Sequence, residues 1–232
     1  MDKQEQENLK NLARDKQFIV ELREILNETK KDYDTIKDLY PERDLRPAFY
    51  GLPANIIYSL FLHASSIDDT ISQPSWWQEK LGITIDVAAV KESASFSKHA
   101  YFIFFLARIE SLQRKTINLV STRFIQHKKP NYTDIYKEYL KCLSLTNYIP
   151  LFEIAVHTRN TIHTNGIFLS RDGNDVTIEW KGVSFVFKHM QSVNFMSPEN
   201  LIFIMRELLL SIKEILDTET IKKIPFIEDK FH

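Results

Sequence analysis

The chain has 232 residues, of which 30 are basic and 31 acidic, giving a formal net charge of -1, and 44% of it is hydrophobic and 12% aromatic. A chain of this size buries about 70% of its unfolded surface, which excludes wholesale disorder, and its balanced charge excludes a globally basic nucleic-acid binder, so nucleic acid would need a local patch or an assembled dimer. One cysteine, Cys142, excludes an internal disulfide framework, and five scattered glycines make no phosphate-cradling loop.

The amino-terminal stretch MDKQEQENLK is polar and no apolar run approaches bilayer length, so no membrane contact is expected and a cytoplasmic location is. The seven histidines show no metal-ligand spacing beside a carboxylate, and no metal or other cofactor is expected.

From Lys3 to Tyr40 there is no glycine or proline, and Leu12, Ile19, Leu22, Leu26, Tyr33, Ile36 and Tyr40 recur at helical steps, so one long helix, or two in line, closed by Pro41 is predicted. Asp15 and Thr29 interrupt a coiled-coil seam, which favours packing against the rest of the chain. Pro47 and Pro53 punctuate the next segment, leaving Ala54 to Leu62 as a short buried helix. Ser65 to Gly82 reads as loop and helical turn, with Trp76 and Trp77 either clamping the loop to the core or forming a partner patch.

Ser97 to Gln126 is a second strong helix, with Phe102, Phe105, Leu106, Ile109, Leu112, Ile117, Val120 and Phe124 on one face, Glu110 at its edge and Gln113 near its centre. His127, Lys128, Lys129 and Pro130 make a basic turn, after which Thr133 is expected to cap the helix of TDIYKEYLKCLSL. Thr146 or Asn147 with Pro150 opens a further helix, and Asn165 with Gly166 ends it. Strand-like runs follow at Ile167 to Leu169, Val176 to Trp180 and Val183 to Phe187, divided by Asp172-Gly173-Asn174 and Lys181-Gly182. Ser197, Pro198 and Glu199 then open a last amphipathic helix, Glu199 to Leu216, and the tail to His232 carries weak order signals. The predicted fold is mainly α: a helical bundle with a small antiparallel β-hairpin or meander inserted before the last long helix.

The helix LFEIAVHTRNTIHTNG, Leu151 to Gly166, is the one that carries charge on its apolar side. At about 100° per residue, Leu151, Ile154, Ala155, Thr158 and Ile162 form one arc that Phe152 and Val156 extend. Arg159 and His163 fall inside that extension, towards a packed surface, while Glu153, His157, Asn160 and Thr164 lie on the wettable side. A charge on a packed face wants a partner, and Glu110 is expected to meet Arg159. That pair reads equally as a register-fixing ion pair or as part of a site.

The run Arg159-Asn160-Thr161-Ile162-His163, followed by Asn165-Gly166 and preceded by FLARIESL with Glu110, resembles the HEPN superfamily, whose signature is an arginine, a polar residue and then a histidine. Three residues separate Arg159 from His163, where the family pattern leaves four to six, so here the two side chains share one face, about 40° apart. The resemblance implies one HEPN-like domain over 1–232, with a helical extension over 1–94, core helices over 95–166, a β insertion over 167–190 and the last long helix over 197–217. It also implies a metal-independent endoribonuclease of a toxin–antitoxin or antiviral defence system, dimeric through the motif helix, acting on RNA and open to a regulatory protein partner. The alternative it implies is a non-catalytic RNA- or protein-interaction module with the motif as a structural network.

The catalytic reading assigns Arg159, Asn160, His163 and Glu110. Histidine moves protons near neutrality and arginine offers a planar fork to phosphate. The negative end of the helix attracts a cation, which suits His163 to general-acid duty, with a second histidine from the partner as base. Asn160 would orient phosphate or the histidines, and Glu110 would hold Arg159. Thr164 and Asn165 read as capping residues, and Arg114, Lys115, Arg123, Lys128 and Lys129 read as a solvated charged face or a guide for RNA.

Overall fold

The computed structural model describes residues 3–66, 74–84, 87–121, 130–193 and 197–228, with side chains placed from residue 16 onward apart from 74, 87–91 and 93. Its elements are α1 (Lys3–Leu39), α2 (Leu45–Ser66), α3 (Pro74–Leu81), α4 (Val87–Val120), α5 (Tyr132–Cys142), a 3-10 turn (Thr146–Tyr148), α6 (Ile149–His163), β1 (Val176–Trp180), β2 (Val183–Phe187), α7 (Pro198–Asp217) and α8 (Glu219–Lys222). The protein is mainly helical, with one small antiparallel sheet. Among the described residues no helix is long and apolar enough to cross a membrane.

α1 packs on α2 and α7, and α2 on α4. α4 and α7 then continue into a second group with α5 and α6, whose free flank β1 covers. Phe18, Leu22, Ile25 and Ile36 of α1 are buried, and Ile19, Leu26, Tyr33 and Tyr40 pack at the margin. The expected seam is therefore rotated slightly towards Phe18 and Ile25.

α2 departs from its expectation, because the two prolines lie within one continuous helix that starts at Leu45. Pro47 sits in the first turn, where the amide has no acceptor inside the helix and the ring costs nothing. Pro53 lies in the interior and is itself buried, so tertiary packing overrides its local penalty. Just before it, Gly51 has no room for a side chain, since a Cβ would meet the Tyr33 ring of α1 at 2.7 Å. Both tryptophans of α3 are half-buried and meet edge to face at 5.2 Å, which suits the clamp.

α4 begins ten residues before the expected Ser97, and the expected end at Gln126, with Phe124 and the basic turn 127–129, lies outside the described residues. The cap of α5 is Asn131, not Thr133: its side chain accepts from the Asp134 amide and donates to the Asp134 carboxylate. α6 takes Pro150 in its first turn and no side-chain cap at its start, since the 3-10 turn feeds straight into it. Asn165 (φ 55°) and Gly166 (φ 86°) terminate it as expected, and the Gly166 amide returns to Thr161 O at 2.8 Å.

β1 and β2 pair antiparallel with Trp180 opposite Val183, joined by Lys181 and Gly182, both at positive φ. That handedness matches the twist of a two-residue hairpin. The run Ile167 to Leu169 is not a strand. Ile167 bridges Ser192, and Phe168 exchanges two hydrogen bonds with 190–191, but Met190 at φ 59° breaks the extended geometry. Ser197 caps α7 as expected.

Residues 221–228 are tied down more firmly than their composition suggests. Asp44 and Arg46 are nearly fully buried and paired at 2.6 Å. Arg46 also donates to the carbonyls of Ile221, Ile224 and Pro225, and its guanidinium lies 4.1 Å from the Tyr40 ring centroid. This hub ties residues 221–228 to the start of α2, with Leu45 N donating to Ile227 O at 2.7 Å.

Candidate functional site

The expected meeting of Glu110 and Arg159 occurs. Arg159 Nη1 donates to Glu110 Oε2 at 2.6 Å, with both side chains about four-fifths buried. The other oxygen, Oε1, accepts from Arg114 Nε at 2.8 Å one turn along α4. Arg114 in turn donates through Nη1 to Pro130 O at 2.9 Å, just before α5. One carboxylate thus sits between two guanidiniums, and the trio carries a net charge of +1 at the end of the bundle where α4, α5 and α6 meet.

The Arg159 guanidinium also lies 5.8 Å from the centroid of the Tyr132 ring, the first residue of α5. The Tyr132 hydroxyl is buried and donates to Gln113 Oε1 at 2.8 Å, and Gln113 is 1% exposed. Burial, followed by the nearby Glu110 charge, pushes that phenol well above its ordinary range, so it stays a donor.

His163 differs from its expectation, because it is exposed. α5 runs antiparallel to α6, with Tyr132 beside Arg159, a Tyr136–Phe152 ring stack at 5.5 Å and a Lys137–Glu153 ion pair at 2.5 Å. His163 lies one turn beyond the point where α5 begins, so nothing from α5 covers it. Asn160 is exposed as well, about 100° further round the helix than Arg159. The structure therefore joins Glu110 with Arg159, sets His163 on the same side one turn away, and leaves Asn160 outside that cluster. Thr164 and Asn165 take the expected capping roles, Thr164 Oγ1 bonding Thr161 O at 3.0 Å.

No family model, curated protein or solved structure matches this chain.

The opposite side of α6 is also corrected. His157, expected to face water, packs between the rings of Phe168 and Phe187 at 5.3 and 5.1 Å. Burial there lowers its pKa from 6.5, with Glu153 opposing and Lys137 adding to the shift. The hairpin that covers it is held by Glu207 of α7, which accepts from Trp180 Nε1 and Lys181 Nζ, each at 3.0 Å.

Two residues of the cluster escaped the catalytic assignment. Arg114 stands four residues after Glu110, a spacing at which opposite charges pair on any helix, so its role was readable. Tyr132 had no such signal, because its contact with Arg159 depends on how α5 crosses α6. Arg123, Lys128 and Lys129 lie outside the described residues. Among the described residues no group of three or more His, Cys, Asp or Glu side chains could hold a metal ion. A groove of about 710 Å³ between α1 and α7, flanked by the Arg206–Glu28 and Lys213–Asp32 ion pairs, includes none of the cluster residues. The Glu110 and Arg159 side chains are about four-fifths buried, and His163 and Asn160 lie exposed beside them.

Proposed function

We propose that this protein is a metal-independent endoribonuclease of HEPN type, working as a two-fold dimer. The observation that carries the reading is the fixed, partly exposed guanidinium of Arg159 one helical turn from the exposed imidazole of His163. Cleavage by a ribose 2′-hydroxyl needs a proton acceptor, a proton donor and stabilisation of charge on the phosphorus oxygens. Among the described residues one protomer supplies one histidine to this face, so the second proton-transfer group is assigned to a partner across a two-fold axis. Glu110 neutralises only half of the charge of its two arginines, which leaves the surface attractive to phosphate. Asn160, exposed about 100° round the helix from Arg159, is assigned contact with substrate or the partner protomer. In a toxin–antitoxin or antiviral defence setting, a regulatory protein would act by covering this open face.

The test is incubation of purified protein with RNA in excess chelator. Fragments ending in 2′,3′-cyclic phosphate are expected, with their formation abolished by His163→Ala. Cutting that survives this substitution refutes the assignment.

One observation favours a second reading, a non-catalytic RNA- or protein-interaction module. The ion network ties α4, α6 and Pro130 together within one protomer, as a purely structural device would. Under that reading the wild-type protein cuts no RNA, while RNA or a protein partner still binds this face.

A further inference from the structure

We propose that Tyr132 is a positioning residue for Arg159, an inference that rests on the ribonuclease reading above. α4 reaches Arg159 by two routes from one helical turn. Glu110 takes Nη1 directly, and three residues later Gln113 anchors the hydroxyl of Tyr132, over whose ring the guanidinium carbon sits at 5.8 Å from the centroid. The first route fixes one end of the fork, and a single hydrogen bond leaves the guanidinium free to turn about that end. The second supplies a wall. An aromatic face attracts a guanidinium and restricts the planes it adopts.

The wall is only as fixed as its anchor. Gln113 Oε1 holds the Tyr132 hydroxyl, while Gln113 Nε2 has no hydrogen-bond partner among the described residues. Removing the hydroxyl therefore leaves both polar atoms of a buried amide unsatisfied, and Gln113 and the ring reorient together. Arg159 is misplaced relative to phosphate, although the ion pair with Glu110 survives.

The same helix carries a matched comparison. Tyr139, two turns along α5, is also fully buried and meets α4 through its hydroxyl, accepting from Thr116 Oγ1 at 3.2 Å. It makes no contact with Arg159. Tyr132→Phe and Tyr139→Phe thus each delete one buried hydroxyl between the same two helices, and only the first touches the wall.

The experiment compares RNA cleavage by wild type, Tyr132→Phe and Tyr139→Phe in chelator. Tyr132→Phe is expected to lower kcat by about tenfold, since even small misplacement of a charge-stabilising group slows the chemical step, and to leave KM unchanged. Tyr139→Phe is expected to leave both constants unchanged. Equal losses in the two variants, or wild-type kcat in Tyr132→Phe, overturn the positioning role and leave the ribonuclease reading intact. A wild-type protein that cuts no RNA overturns both.

Discussion

Deleting either partner of the Glu110–Arg159 pair has unequal consequences, because Glu110 is shared. In Arg159→Ala the carboxylate keeps Arg114, whose Nη2 lies 2.7 Å from Oε1, so no orphaned charge is created. The cost is that of one charge-assisted hydrogen bond, about four-fifths buried, with Arg114 still neutralising the carboxylate, about 1.5 kcal/mol, well under the 3 to 5 kcal/mol of a fully buried pair that loses one member. In Glu110→Ala two guanidiniums are left together. At a separation of about 6 Å and an effective dielectric constant of about 20 their repulsion is roughly 3 kcal/mol before relaxation and screening. Arg114 is 38% exposed and moves away readily, so a net cost of about 2 to 3 kcal/mol remains, including both lost hydrogen bonds. For a domain of this size that corresponds to a fall in Tm of about 5 to 10 °C for Glu110→Ala and about 2 to 5 °C for Arg159→Ala. Urea denaturation of both single variants and the double variant measures the difference and the coupling, expected near 1 kcal/mol. A larger cost for Arg159→Ala than for Glu110→Ala refutes the shared-carboxylate account.

His163→Ala is expected to change stability by less than about 0.5 kcal/mol in thermal unfolding, as for other exposed positions, while abolishing cleavage; a large loss of stability would mean that the residue is covered. Arg46→Ala removes the donors from three carbonyls and leaves buried Asp44 without its cation, which should cost about 3 to 5 kcal/mol and open residues 221–228 to protease and hydrogen exchange before the bundle unfolds. His157 has its folded-state pKa depressed below 6.5 by burial, so the unfolded chain binds more protons in the interval between the two values. Its contribution is fully present above pH 6.5 and is lost as pH falls through the folded-state value. Chemical denaturation from pH 7.5 to 5 should show that decline, and His157→Phe should flatten it.

Much of this architecture was legible in local chemistry. The run from Lys3 to Tyr40 closed by Pro41, the Ser197 cap with Pro198 after it, and the Asn165-Gly166 stop each place an element end to within a residue of the structure, where α1 stops at Leu39. Lys181-Gly182 located the hairpin because a two-residue loop demands positive φ, and Lys181 adopts it despite its side chain. The α2 prolines misled because their cost depends on position within the helix and on what the rings bury, neither of which is a local property. Thr133 misled because Asn131, two residues earlier, makes the better cap.

The site divides along the same line. By itself the sequence determined that α6 carries Arg159 and His163 on one side and that Glu110 sits at the edge of the apolar face of α4, because periodicity sets angles about a helix axis; that the two sides meet was an expectation from charge alone. Only the tertiary structure decided how far along that axis each neighbour extends. α5 begins at Tyr132 and so brings that ring to 5.8 Å from Arg159 but leaves His163 in the open, while the hairpin folds back over His157 on the side that looked wettable. Angle is written in the spacing of residues along one segment; coverage depends on where the next segment starts and how it crosses, and that is settled by packing between segments far apart in the chain.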